Sequence, residues 1–253
     1  MAVSYQGNSN NMAQFSIRTE NLRKSFGKIS ALSGVSIDLS AGLLHGLIGS
    51  DGAGKTTTLR LLAGLLKPTA GKILYARGGI TVPFPEVRPG LAYMPQQASL
   101  YPDLSIGEHL EFFRELYRLD AQVFRRRSEE LLEITRLGKF RDRRAGRLSG
   151  GMYKKLALMC ALLQSPSVLL LDEPTNGVDP ISRREFWEML YGLAADKILI
   201  VVSTAYMDEA ERCSRVHLLD SGRLLASGEP RGVLKETGAA DFEELFIKKV
   251  AAK

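Results

Sequence analysis

Cysteine is scarce: Cys160 and Cys213 are the 2 in 253 residues, and their spacing is not that of a pair. Together with only 3 scattered histidines, this argues against a disulfide framework and against a zinc site. Long apolar runs are missing as well. "VLLL" (168–171) and "ILIVV" (198–202) are strand length, far short of the roughly 18 apolar residues of a membrane span. The opening "MAVSYQGNSNNMAQ" (1–14) lacks the basic-then-apolar layout of a signal peptide and reads as a disordered lead. These absences lead to the expectation of a cytosolic compartment. No internal repeat or low-complexity tract is present. What is there is 45% hydrophobic and 25% charged, the balance of a globular chain able to bury a sizeable core. The net charge of +6 would suit nucleic acid or an anionic membrane face. Its main clusters, Arg125–Arg127 and Arg141, Arg143, Arg144 and Arg147, read as solvated helix surface.

Apolar, strand-like runs recur between helical stretches: "LLHGLI" (43–48), "LAYM" (91–94), "SVLLLD" (167–172) and "ILIVVS" (198–203). Nearly continuous apolar strands alternating with helices predict a mostly parallel sheet covered on both faces, an α/β fold. From Ser105 to Leu163 apolar residues fall at three and four spacing, which predicts an inserted helical subdomain. "RVHLLDSGRLLASG" (215–228) carries Ser-Gly between two apolar-rich runs and predicts a β-hairpin.

The strongest local signal is "GLIGSDGAGKTTTLRLLAGLL". Gly49, Gly54, Lys55 and Thr56 fit G-x-x-x-x-G-K-[ST], after an apolar strand and before an amphipathic helix carrying Leu59, Leu62, Ala63 and Leu66. Glycines let backbone N–H groups turn inward around phosphate oxygens, and the helix start adds partial positive charge. Lys55 would bridge the β- and γ-phosphates of a nucleotide and Thr56 would ligate magnesium. In "SVLLLDEPTNGVDP", Asp172 ends a buried strand, where its carboxylate can face that magnesium; Glu173 follows, placed to accept a proton from an attacking water. In "RLSGGMYKKLALMCALLQSP", Ser149 is a natural N-cap, and Gly150 and Gly151 let the backbone approach an anion. Leu156, Met159, Cys160 and Leu163 then mark a core-facing helix. A second anion-binding helix start in one chain needs its own explanation.

At these residues the chain resembles a nucleotide-binding domain of an ABC transporter, from about Phe15 to Leu245. "GSDGAGKTT" is similar to the family's Walker A, so Gly49, Ser50, Asp51, Gly52, Ala53, Gly54, Lys55, Thr56 and Thr57 are the expected nucleotide cradle. "LLLDEP" is similar to Walker B and "LSGGM" to the signature, in the family's order. "YMPQQ" resembles the Q-loop, which puts Gln96 at the glutamine that contacts magnesium and the membrane partner. Phe26 stands where an aromatic residue stacks on adenine, and Asp179 at the D-loop aspartate. The resemblance implies ATP and Mg2+ as ligands, with Thr56, Gln96 and Asp172 around the metal and Glu173 and Gln96 serving hydrolysis. It implies a P-loop NTPase core at 15–97 and 166–235, antiparallel β elements, a helical subdomain at 98–165 and a tail from 246. Two such domains stack head to tail in the family, so Ser149, Gly150 and Gly151 would serve the neighbour's ATP. The expected partners are a second such domain and integral membrane subunits, at the cytoplasmic face of the membrane, with no nucleic acid. "YPDLSIGEHLEFF", "STAYMDEAERC" and "FEELFI" are similar to the exporter branch.

Two departures stand out. Ser50 and Asp51 replace the family's usual proline and asparagine, adding a carboxylate beside phosphate. Ala205 follows Ser-Thr where the family has a histidine that reaches the γ-phosphate. Impaired hydrolysis follows as an expectation, as in the degenerate halves of paired transporters. A non-hydrolysing regulatory module and a soluble ABC protein acting on nucleic acid or ribosomes are the alternatives. A chain of this length, without a second such domain or a long insert, speaks against the latter.

Overall fold

In the computed structural model, which describes residues 14–97 and 100–251, two sheets divide the strands by their side-chain pattern. β1 (Phe15–Phe26) alternates: Phe15, Ile17 and Thr19 point inward and the residues between them are more exposed. It pairs antiparallel with β2 (Ile29–Val35), β3 (Asp38–Ser40) and β5 (Ala70–Arg77), and β5 pairs with β6 (Ile80–Val82). The continuous apolar runs make the other sheet, ordered β11-β10-β4-β9-β8-β7. Its strands are β4 (Leu44–Ile48), β7 (Leu91–Met94), β8 (Val168–Asp172), β9 (Leu199–Thr204), β10 (Arg215–Asp220) and β11 (Arg223–Gly228). All neighbours are parallel except the β10–β11 hairpin. Every residue of β4, β8 and β9 is buried, as a sheet covered on both faces requires.

One face packs Leu47, Leu170 and Val201 against α1 (Lys55–Leu62) and the antiparallel sheet. The other packs Ile48, Leu171 and Val202 in one core with residues of α5 (Gly150–Leu162) and α6 (Pro180–Ala195). A short α2 (Phe84–Val87) precedes β7, and the helical segment opens with α3 (Ile106–Tyr117) and α4 (Ala121–Thr135). Ser105 and Glu108 close a capping box at the start of α3, satisfying two backbone donors that the first turn leaves free. The described residues end in α7 (Pro230–Thr237) and α8 (Phe242–Ala251).

The structure departs from the sequence reading in two places. α1 stops at Leu62, because Gly64 turns left-handed at φ +66°; Leu66 lies beyond the helix. The carboxylate-rich segment after Ser-Thr is a 3-10 helix (Met207–Arg212). Glu209 is drawn fully inward there, its Oε1 accepting from Thr175 Oγ1 (2.9 Å), Arg183 Nε (2.6 Å) and Trp187 Nε1 (2.9 Å). Residues 246–251, expected as a tail, are the last turns of α8, whose Phe242 and Leu245 are buried and whose Lys248 reaches Glu244 at 2.7 Å and the Gly238 carbonyl at 3.1 Å. The lead at 1–14 lies, apart from Gln14, outside the described residues.

Candidate functional site

Parallel strands all finish at one edge, and β4, β9, β8 and β7 bring their C-terminal ends side by side there. The loop after β4 makes a tight cradle. Gly52 and Gly54 have φ +78° and +103°, which side chains rarely adopt, and a Cβ on Gly49 would stand 2.3 Å from the Leu219 carbonyl oxygen. Only glycine fits all three positions. Ala53 is buried under the loop, while Ser50 is half-buried and Asp51 exposed. Lys55 folds back over the loop, donating to the carbonyls of Gly49 (2.8 Å) and Ser50 (3.0 Å). Thr57 follows on the first turn of α1, half-buried.

Asp172, fully buried at the end of β8, is the hub. Its Oδ1 accepts from Thr56 Oγ1 at 3.0 Å and Ser203 Oγ at 2.7 Å, and its Oδ2 accepts from Tyr93 OH at 3.0 Å. Burial, and then the Asp172 charge, push the Tyr93 phenol up to about 12, so it stays a donor. Glu173 has φ +46°, strained for a residue with a side chain. Its N–H donates to the Ser203 carbonyl (3.1 Å) and Oγ (3.0 Å), which holds it there. The carboxylate pairs with Lys55 at 3.3 Å and accepts from Gln96 Nε2 (2.7 Å) and Asn176 Nδ2 (3.2 Å).

Thus Lys55, Thr56, Gln96, Asp172 and Glu173 converge, although they come from three separate stretches of chain. Phe26 does not join them; it lies about half exposed at the end of β1, with Lys24 Nζ 5.0 Å from its ring centroid. Ser149 and Gly150 are exposed at the start of α5, where Ser149 Oγ accepts from Met152 N–H at 3.3 Å. Gly151 packs so closely on Ser182 that a Cβ would lie 2.5 Å from its side chain. Asp179 caps α6, accepting from the N–H groups of Ile181 (3.1 Å) and Ser182 (3.0 Å), and those bonds, Ser182 first, hold it below the usual carboxylate range. Ala205 is exposed just past β9 and offers only a methyl group. Sequence reasoning missed Tyr93, Ser203 and Asn176; the tyrosine in "LAYM" and the serine in "ILIVVS" are polar breaks in apolar runs, the one available signal.

The oxygens of Thr56 and Asp172 form a hard-donor pair of the kind magnesium takes, and the glycine cradle has room for phosphate oxygens against backbone N–H groups. The residues fit both groups. Comparison with known proteins agrees: the ABC transporter family model matches residues 32–176. The chain belongs to that family.

Among relatives, the probable multidrug ABC transporter ATP-binding protein YbhF of Escherichia coli (strain K12) is 44% identical over 212 residues. That match covers 84% of this chain but only 37% of YbhF, so the chain spans little more than a third of that relative. The Nod factor export ATP-binding protein I of Ralstonia nicotianae is 37% identical over 233 residues, 91% of this chain and 72% of that protein. An ATP-binding subunit of an ABC transporter superposes with a TM-score of 0.80 at 29% identity, covering 92% of this chain and 99% of its own. A bacterial ABC transporter cassette solved as a dimer gives 0.73 at 27% identity, covering 84% and 98%. The fold is the ABC ATPase fold. No described helix is long and apolar enough to cross a membrane.

Proposed function

We propose that this ABC domain binds Mg-ATP in the 49–57 cradle and hydrolyses it slowly on its own, driving export through a separate membrane subunit. The carrying observation is the convergence of Lys55, Thr56, Asp172, Glu173 and Gln96 on one sheet edge. Lys55 would exchange its loop carbonyls for phosphate oxygens, and that exchange would free Glu173 from its ion pair. Gln96 and Asn176 would still hold the Glu173 carboxylate, ready to take a proton from water. Thr56 and Asp172, with Gln96 beside them, would hold magnesium, whose charge offsets that of the phosphates. Phe26 would stack on the base.

Ser149 and Gly150, exposed at their helix start, would with Gly151 close over the ATP of a second ABC domain, with Asp179 nearby. That partner, the membrane subunit and a place at the cytoplasmic face of the membrane come from the family and from the export named for the Nod factor relative. Ala205 supports a second reading, a nucleotide-holding half whose partner does the hydrolysis. The test is a Mg-ATP titration followed by steady-state phosphate release, with Glu173→Gln as the blank. Saturable binding in the micromolar to millimolar range with release above the blank is expected. No saturation up to several millimolar would overturn the assignment, and release equal to the blank would favour the second reading.

A further inference from the structure

Helix α5 has a lysine that points inward. Lys154 is half-buried, and its Nζ donates to two backbone carbonyls on different elements: Gln96 at 3.3 Å and Glu173 at 3.4 Å. These residues' side chains meet each other at 2.7 Å. One cation therefore holds both members of the Gln96–Glu173 contact from behind. The preceding residue acts on the same loop, since Tyr153 OH accepts from the Leu100 N–H at 2.9 Å. Two consecutive residues of one helix thus grip the loop after β7 at both ends.

Neither contact is needed to keep α5 in place. Leu156, Leu158 and Met159 are fully buried, and Lys155 reaches Glu185 at 2.5 Å on its own account. A lysine released from the two carbonyls could run its charge out to water at little cost. The spacing along the helix gives the tether a purpose. Lys154 lies five residues beyond Ser149, about 7 Å along the helix axis at the usual rise. The helix start offered to a neighbouring domain is thereby linked, through one rigid turn, to the carboxylate that polarises water in this domain.

We propose that Lys154 is a positioning residue, with Tyr153 as its support, that sets Glu173 and Gln96 according to where α5 stands. This deepens the reading of Glu173 as the base and rests on it. The experiment compares the unmutated chain with Lys154→Met, Lys154→Arg and Tyr153→Phe in three measurements: Mg-ATP titration, steady-state hydrolysis over a range of ATP, and amide exchange of the 95–101 segment without nucleotide. Lys154→Met is expected to lower kcat about tenfold, the low end for a charged hydrogen bond, with KM and the binding constant within about twofold. Lys154→Arg, which can also span two carbonyls, should restore most of the rate. Tyr153→Phe, which removes one oxygen, should cost about threefold with the same split. Exchange in 95–101 should quicken in both Lys154→Met and Tyr153→Phe.

Unchanged kcat in Lys154→Met, a loss confined to KM, or no rescue by arginine would overturn the proposal. If Lys154→Met fails to fold, Tyr153→Phe carries the same three readouts. If the unmutated chain binds no ATP, the functional reading fails, and the exchange measurement still decides the tether: unaltered exchange overturns it.

Discussion

On the face of the parallel sheet toward β3, His45 of β4 and His217 of β10 stack with ring centroids 5.5 Å apart, whereas at the C-terminal edge Lys55, Asp172 and Glu173 gather around Thr56 and Ser203. Both clusters are buried and polar, and they obey opposite rules. His45 Nε2 lies 3.0 Å from the Ser40 N–H and 3.2 Å from the Ser40 carbonyl oxygen, and His45 Nδ1 faces His217 Nε2 at 3.3 Å. His217 Nδ1 then faces Ser227 Oγ at 2.8 Å. The contact between the rings has room for one proton, so protonating both would set two N–H groups against each other. Burial holds both rings neutral, His45 at about 4 and His217 at about 3. The edge cluster carries charges of both signs and runs out to exposed Gln96 and Asn176, with Ala205 exposed beyond the neighbouring strand. The closed network can only stabilise the fold; the open one is free to exchange partners.

Low pH should break the closed cluster, with the largest effect. Unfolded histidine titrates near 6.5, so below that pH the unfolded chain binds protons that the folded rings refuse. Stability is full above about 6.5 and falls as pH drops toward the folded values, by about 2 kcal/mol per ring at pH 5, on the order of 10³ in the folding constant for the pair. Denaturant melts at about pH 7.5 and about pH 5 measure it, and His45→Gln with His217→Gln should flatten the difference. An unchanged midpoint in the unmutated chain would erase the contrast.

Next in size is Lys55→Ala, which removes the cation shared by the cradle and Glu173. ATP affinity should fall by about 100-fold or more, as for loss of a charged contact to phosphate, with far-UV dichroism unchanged. Retained affinity would mean the edge cluster does not exchange partners at all. Ala205→His adds a donor on the open side. Phosphate release at saturating ATP should rise about tenfold, below the usual range for one transition-state donor because Asp51 also opposes phosphate. Equal rates well above the Glu173→Gln blank would show that another group already fills that role. The smallest effect belongs to Asp51→Asn, which removes an exposed, water-screened charge; ATP should bind about two- to threefold more tightly, read from the same titration.

Legibility followed the range of the interaction. The parallel strands were readable because a run such as "VLLL" suits only a strand buried on both sides, and the hairpin because Ser-Gly stood between two apolar runs. β1 was hidden: "FSIRTENLRKSF" alternates apolar with polar residues and has a register shift beyond Glu20, so it forms no apolar block. The 3-10 form of the helix at Met207–Arg212 could not be read either. Its shape follows from Glu209 reaching Thr175, 34 residues away, and Trp187, 22 away, which no local propensity encodes.

By itself the sequence determined the kind of chemistry. Gly49, Gly54, Lys55 and Thr56 act within a few residues of one another, so their spacing between a strand and a helix defines a phosphate cradle whatever surrounds it. The sequence also determined that position 205 offers no side-chain donor, since a methyl group cannot donate a hydrogen bond in any fold. Tertiary structure alone decided which groups meet. Thr56 touches Asp172 across 116 positions and Gln96 touches Glu173 across 77, because the sheet orders its strands β4-β9-β8-β7 and not as the chain runs. It also decided that Lys154 turns inward, that Tyr93 and Ser203 brace Asp172, and that His45 and His217 meet in a buried ring-to-ring contact. Each of these depends on the distance between strand ends or helix faces, a quantity set by packing and absent from any single stretch of sequence.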